Sequence, residues 1–180
     1  MFKKLITLLL LIFFLLSTIP FFYLINYSQT ITLKEEKVVY EMPYPGILPD
    51  HPLYSLKILR DRVWDFTTRD LIKKAKLYLL FSDKRIKMGE FLAQKGKNDL
   101  AISTTSKAEK YFLKIAPLLI QSKKQGSAAP QELINKIKSS NAKHKESIQN
   151  LLKIIPEGEQ HRIKEILRIN ETVKKQLADL

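Results

Sequence analysis

The sequence predicts an all-α fold, with an N-terminal transmembrane helix followed by an extracytoplasmic bundle of four or five helices. An uninterrupted apolar run near the N-terminus indicates the first part. Apolar residues spaced three and four apart over most of the remainder, with no convincing alternating pattern after Tyr40, indicate the second. The 180 residues include no cysteine, which excludes disulfides and lipid attachment through cysteine. Packing alone must therefore hold the exported domain together.

The apolar run extends from Leu5 to Ile25. As a helix it spans ~30 Å, about the thickness of the hydrocarbon core of a bilayer. Lys3 and Lys4 precede the run, and no further charge follows until Lys34. The positive-inside bias therefore predicts a cytoplasmic N-terminus, a single pass and an extracytoplasmic C-terminal domain. The alternative is a cleaved secretory signal followed by release, although no A-x-A-like cleavage site follows the run.

The chain divides by composition into three parts. Residues 1–28 form the membrane anchor or signal segment, residues 29–51 a tether and proline-rich lead-in, and residues 52–180 the helical bundle. The bundle is long enough to bury one core. The lead-in is predicted to be extended, because each proline disfavours helix at the preceding residue. Its prolines are Pro43, Pro45, Pro49 and Pro52.

The first predicted helix covers residues 53–67, and Pro52 suits its first position because a proline there loses no intrahelical hydrogen bond. Its apolar residues recur at 3-4-3 spacing and form one stripe. Trp64 lies beside this stripe and is predicted to be in the core. The stripe consists of Leu56, Leu59, Val63 and Phe66.

Four further helices are predicted. The second runs from about residue 69 to 95 and ends at Gly96, which suits the position after a helix C-cap. The third, capped by Asn98 or Asp99, continues to about Lys124 with a kink at Pro117. The fourth covers residues 131–155, and the last reaches the C-terminus.

The segment YPGILPDHPLYSLK, from Tyr44 to Lys57, resembles the opening motif of a family of exported or membrane-anchored bacterial and archaeal proteins of unknown function. The likeness continues to about Ala116, and the chain from Leu133 onward has no counterpart in it. The resemblance implies an exported helical domain and no activity. The alternative interpretation makes PGILPDHP a ligand-binding elbow. The matching residues, interpreted as structural, are Gly46, Pro49, Asp50, Pro52 and Tyr54, with Gly46 suited to a positive φ.

The residues predict no catalytic site, no cofactor and no metal site. Nucleophilic catalysis needs a nucleophile beside a base. The sequence has three histidines as possible bases, but it has no glycine-flanked serine and no cysteine as a nucleophile. Glu157, His161 and Glu165 share one helix face as a partial ligand set. A four-helix di-iron site would need Glu-x-x-His motifs, which the sequence lacks. We therefore predict a protein that is not an enzyme.

The remaining functional signal is charge. Between Lys57 and Lys124 there are 17 basic and 7 acidic residues, +10 of the chain's net +13. The prediction is a non-enzymatic module that binds an anionic lipid, a cell-surface polymer or an acidic protein. Nucleic acid is the weakest candidate partner, because no aromatic-basic module is present. The alternatives are a merely solvated basic surface and an export-side chaperone or envelope assembly factor. The candidate interaction residues are Lys73, Lys74, Lys76, Lys84, Arg85 and Lys87.

Overall fold

Six α-helices follow one another in residues 40–180, the part of the chain that this computed structural model describes. This part contains no strand, which confirms the all-α prediction. It also contains no helix with the length and apolar character needed to span a bilayer. The predicted membrane segment, from Leu5 to Ile25, lies outside the described residues. The helices are α1 (Tyr54–Thr67), α2 (Leu71–Gln94), α3 (Asn98–Phe112), α4 (Ile115–Lys124), α5 (Gln131–Ile154) and α6 (Gln160–Ala178), with a 3-10 turn at Glu157–Glu159 before α6.

The ends of α2 follow from local sequence. Asp70 is its N-cap, and the carboxylate accepts a hydrogen bond from the Lys73 N–H at 2.7 Å. After its last residue, Gly96 has a φ of +71°, and the Lys97 N–H reaches back to the Leu92 carbonyl at 2.9 Å. This is the Schellman arrangement, which glycine adopts without the strain of a side chain. The predicted stop at Gly96 is confirmed.

Two predicted helix starts are wrong. Pro52 lies in a turn before the N-cap Leu53, so it is not the first residue of α1. The cap of α3 is Lys97, and no side chain there accepts a hydrogen bond, so neither Asn98 nor Asp99 has that role. Such ends depend on the path by which the chain enters the helix, which periodicity does not determine.

The predicted third helix is two helices, and its break lies upstream of the proline. The chain leaves α3 after Phe112 and begins α4 at Ile115. Pro117 is the third residue of α4, within the first turn, where an N–H has no intrahelical partner. The proline therefore starts a new helix instead of kinking a continuous one.

The core consists of two apolar clusters arranged along α2. One lies around Phe112, Ile115 and Ile137, and the other around Ile86, Ile148 and Ile163. Helix α2 contacts α3, α4 and α5, and α6 packs against α5 and α3. Helix α2 therefore buries side chains toward several neighbours at once.

The closest approach of α2 to α3 is at Gly89. A side-chain Cβ at this position would overlap the hydroxyl of Thr105, and the Ala101 carbonyl would be 3.4 Å away. We expect Gly89→Ala to lower the free energy of unfolding by about 1–3 kcal/mol, since overpacking outweighs the gain in helix propensity. Urea denaturation followed by circular dichroism measures this. Thr105→Ala in the same chain should restore part of the loss, and an unchanged single variant would contradict the close approach.

Helix α1 turns its polar side toward the bundle and its apolar side outward. Asp61 is the one residue of α1 that is buried, and Trp64 packs partly buried against the first cluster. The predicted stripe, hereafter the α1 apolar stripe, faces away from the bundle. Its exposed fractions are 62% for Leu56, 58% for Leu59, 52% for Val63 and 83% for Phe66.

Candidate functional site

The lead-in belongs to the folded domain, at least from Tyr40 onward. Tyr40 is buried, and its hydroxyl donates a hydrogen bond to the Asp83 carboxylate inside the bundle. Pro43 and Pro45 are also buried. The Lys57 ammonium donates to the Pro45 carbonyl at 2.6 Å, and burial lowers the pKa of Lys57 to about 7. The lead-in from Tyr40 onward therefore packs with the bundle.

The residues of the opening motif have structural contacts. Gly46 has a φ of +69°, as predicted. The Asp50 carboxylate accepts hydrogen bonds from Lys97 at 2.9 Å and Lys95 at 3.2 Å, and these two ammonium groups lower its pKa to about 2. Tyr54 lines a small cavity between α1 and α2. Pro49 is partly buried, and Pro52 is exposed in the turn.

The most polar part of the interior is centred on His144 of α5, which has no exposed surface. Its Nδ1 lies 2.7 Å from the Glu109 carboxylate, and its Nε2 lies 2.9 Å from Asp83. Ser140 donates to Asp83 at 2.6 Å, and Asn170 donates to Glu109 at 3.2 Å. Burial lowers the pKa of His144, but the two carboxylates outweigh it and raise that pKa to about 9. An imidazolium therefore bridges two carboxylates in the core at neutral pH.

This network has the wrong geometry for a metal centre. Its carboxylates lie on opposite sides of the imidazole, at Nδ1 and Nε2, so the three groups do not converge. No three His, Asp or Glu side chains in residues 40–180 are arranged to hold a metal ion. Asp83, Glu109 and His144 are all fully buried, which leaves them no opening to a substrate. The chemistry available to them is mutual neutralisation and the positioning of α2, α3 and α5.

This network was not predicted from the sequence, although one signal was present. His144 lies seven residues after Ile137 and seven before Leu151, so it occupies a core position of α5. A histidine there needs partners, because an unpaired buried polar group is costly. The sequence carries no comparable sign for Asp83 or Glu109, which come from two other helices.

The raised pKa of His144 predicts a stability that falls at alkaline pH. The imidazole has an ordinary pKa of 6.5 and a folded pKa of about 9, so its contribution is complete below pH 6.5 and is lost as pH rises through 9. We expect this contribution, measured as the difference in stability between the native chain and His144→Gln, to fall by about 3 kcal/mol across that range. Urea denaturation at several pH values measures it, and the comparison removes the opposite contribution of Lys57, whose pKa is lowered by burial. The exposed His161→Gln should keep the pH dependence of the native chain, and a His144→Gln chain with that same dependence would contradict a charged imidazole.

Four of the six candidate interaction residues share one face of α2. Lys73 and Lys76 are exposed, and Lys84 and Lys87 are partly buried. They recur at three- and four-residue spacing around Leu80, which places them on one side of the helix. Burial lowers the pKa of Lys84, and Lys87 pairs with Glu90 at 2.8 Å.

The other two candidates lie on a different side of α2. Lys74 pairs with Asp65 of α1 at 3.1 Å. Arg85 is 4% exposed, pairs with the buried Asp61 at 3.4 Å and lies 4.5 Å over the Tyr111 ring. Arg85 therefore does not reach the surface and cannot contact a partner directly in this fold.

Folding makes the surface of the first half of the domain more basic than the amino-acid composition of that half. Of the 7 acids between Lys57 and Lys124, three are buried, whereas one of the 17 bases is. Three of the four remaining acids form ion pairs: Asp65 with Lys74, Glu90 with Lys87, and Asp99 with Arg162. The fourth, Asp70, is the N-cap of α2. Lys73 and Lys76 are exposed on α2, and Arg62 and Arg69 are exposed upstream of them in the chain; these four bases are hereafter the basic patch.

Comparison with known proteins places this domain in a family. A family model described as a domain of unknown function, DUF5667, matches residues 46–176. The match extends well beyond Ala116, so the expectation that the likeness ends there is wrong, and α5 and α6 are part of the family domain. No curated protein and no solved structure matches the chain. With most of its length matched, from the lead-in to the last turn of α6, the chain belongs to the DUF5667 family.

Proposed function

We propose that the protein is a non-enzymatic, membrane-anchored extracytoplasmic module whose basic patch binds an anionic surface or an acidic partner. The single observation that carries this proposal is the unequal burial of charge, with three of seven acids but one of seventeen bases removed from the surface. A surface on which exposed bases outnumber exposed acids generates a positive potential that attracts polyanions.

The sealed polar interior supports a binding role over a catalytic one. The titratable cluster at His144 is fully buried and internally paired. The cavity between α1 and α2 is also small, about 10 Å³, which is room for one water molecule. The exposed bases, by contrast, are accessible to another molecule.

Binding of the full chain to dextran sulfate, a soluble polyanion, tests the electrostatic part. With the protein in neutral detergent micelles, Lys73→Gln with Lys76→Gln should weaken binding about three- to tenfold at low salt, a magnitude typical of two exposed charges. High salt should weaken binding of the native chain. The matched control is Lys138→Gln with Lys153→Gln, two exposed lysines of α5. Equal effects of both pairs would contradict a localised patch.

Cell fractionation tests the anchored part. The proposal predicts that the protein remains with the membrane after high-salt washing and that its mature N-terminus precedes Leu5. A mature chain that begins near Ser28 and is free in the medium would contradict anchoring, and the secreted alternative would then stand.

A second candidate function, an export-side chaperone or assembly factor, is favoured by the α1 apolar stripe, since chaperones bind clients through exposed apolar surface. It predicts that the full chain suppresses aggregation of an unfolded client and that Leu59→Ser with Phe66→Ser reduces this effect. Equal suppression by the variant and the native chain would contradict a role for the stripe.

A further inference from the structure

The α1 apolar stripe is the largest unexplained feature of the described surface. Four large apolar side chains repeat along one side of α1 and are each more than half exposed, up to 83% for Phe66. Leu53, at the start of the helix, is also 51% exposed. Singly exposed apolar residues are ordinary, but a contiguous set of them marks an interaction site.

The outward direction of the stripe is imposed by the polar side of α1. Asp61 pairs with the buried Arg85, and Asp65 accepts a hydrogen bond from the Tyr78 hydroxyl at 2.8 Å. Lys57 reaches the lead-in carbonyls on the same side. Rotating α1 to bury its stripe would break these contacts and leave Arg85 in the interior without its carboxylate partner, which is strongly destabilising. The bundle therefore holds the stripe outward.

We propose that the α1 apolar stripe inserts into the interfacial region of an anionic lipid bilayer, with α1 lying in the plane of the membrane. The inference rests on the proposed function, which supplies the membrane and its negative charge, and it specifies the surface that is bound. An apolar face bordered by basic residues is the pattern of helices that bind anionic membranes from the side.

Charge complementarity favours lipid as the occupant. Arg62 borders the stripe within α1, and Arg69 follows the helix. The two acids of α1, Asp61 and Asp65, point to the bundle, and Asp61 also holds Arg60 at 2.7 Å. The charge of α1 that lies beside the stripe is therefore the basic Arg62.

The length of the preceding chain permits the contact. Fourteen residues separate Ile25, the end of the apolar run, from Tyr40, where the described domain begins. Even fully extended, these residues reach about 50 Å. A domain held on so short a connection stays near the bilayer, which raises the local concentration of lipid at α1.

A second copy of the chain fits the stripe less well. Stable protein interfaces use about 20–30 residues on each side, many more than the stripe offers. Pairing two α1 helices face to face would also bring Arg62 of each copy near the same charge on the other. The stripe therefore suits shallow insertion into lipid better than self-association.

Spin labelling tests the inference, because the native chain has no cysteine and a single introduced cysteine is labelled uniquely. The full chain with Phe66→Cys is reconstituted in vesicles of phosphatidylcholine alone or with added phosphatidylglycerol. Power saturation compares collision of the nitroxide with oxygen, which concentrates in lipid, and with a water-soluble nickel chelate. We expect the ratio of oxygen to nickel collision rates, measured for the label at position 66, to rise severalfold when phosphatidylglycerol is present.

Two other label sites provide matched controls. A label at Val63→Cys, within the stripe, should behave like the one at Phe66. A label at Gln149→Cys, exposed on α5, should stay aqueous in both vesicles. Circular dichroism of each variant checks that the fold is kept, which exposed positions should allow.

The outcomes separate the possible occupants. Labels at Phe66 and Val63 that remain aqueous in anionic vesicles would overturn the inference. Spectral broadening that disappears on dilution with unlabelled chain would assign the stripe to a second copy and also overturn it. If the labels stay aqueous while the lysine pair still weakens dextran sulfate binding, the lipid inference fails and the proposed function stands. Labels that insert although the lysine pair has no effect would support lipid insertion and contradict the role of the basic patch.

Discussion

Replacing His144 with leucine should lower the free energy of unfolding by about 3–5 kcal/mol, because the change leaves Asp83 and Glu109 in the core without their shared cation. Both carboxylates are fully buried, and water cannot replace the imidazole without opening the bundle. Part of the loss comes from packing, since the imidazole also meets the Phe112 ring edge-on at 4.9 Å between centroids. Urea denaturation of the full chain in detergent at pH 6 measures the effect.

His161→Leu is the matched control for this prediction. His161 lies exposed on α6, and its imidazole is 3.0 Å from the Gly158 carbonyl, so its loss should change stability by less than about 0.5 kcal/mol. Adding Asp83→Asn and Glu109→Gln to the His144→Leu chain should recover part of the stability, because the uncompensated charges are then gone. A single variant as stable as the native chain would show that the imidazole is not the partner of these carboxylates.

Arg85→Met should cost about 3 kcal/mol and should act mainly on α1. Arg85 joins α2 to α1 through Asp61, and its guanidinium lies 5.2 Å from the centre of the Phe81 ring and 4.5 Å from that of Tyr111. Methionine has a similar volume, but the change leaves Arg60 as the one basic partner of Asp61. Apart from the partly buried Trp64, these polar contacts are the main attachment of α1 to the bundle, since Asp61 is its one buried residue.

Hydrogen exchange resolved by segment measures where the Arg85 effect falls. We expect the amides of α1 to exchange faster in Arg85→Met while α2 to α6 keep most of their protection. Arg62→Met, on the exposed side of α1, is the control and should leave exchange unchanged. Asp61→Leu added to Arg85→Met should restore part of the protection. Uniform acceleration across all helices would contradict a local attachment.

The candidate interaction surface could be predicted in part. The spacing of Lys73, Lys76, Lys84 and Lys87 identifies one face of α2, whose first two lysines are exposed and whose last two are partly buried. Arg85 follows Lys84 directly, and one step along an α-helix turns about 100°. That turn carries its side chain into the interior against Asp61. Neighbouring residues in a charge-rich stretch therefore have opposite roles, and composition does not separate them.

What the sequence by itself determined is local: the all-α class, the stop of α2 at Gly96 and the turn at Gly46. These depend on hydrogen bonds and backbone angles within a few residues. The tertiary structure alone decided which side of α1 faces outward and which polar groups are buried. A periodic pattern defines a helix face but not its direction, and His144 meets Asp83 across 61 residues of sequence and Glu109 across 35. Such contacts form only when separate helices pack together, so the sequence of any one helix does not determine them.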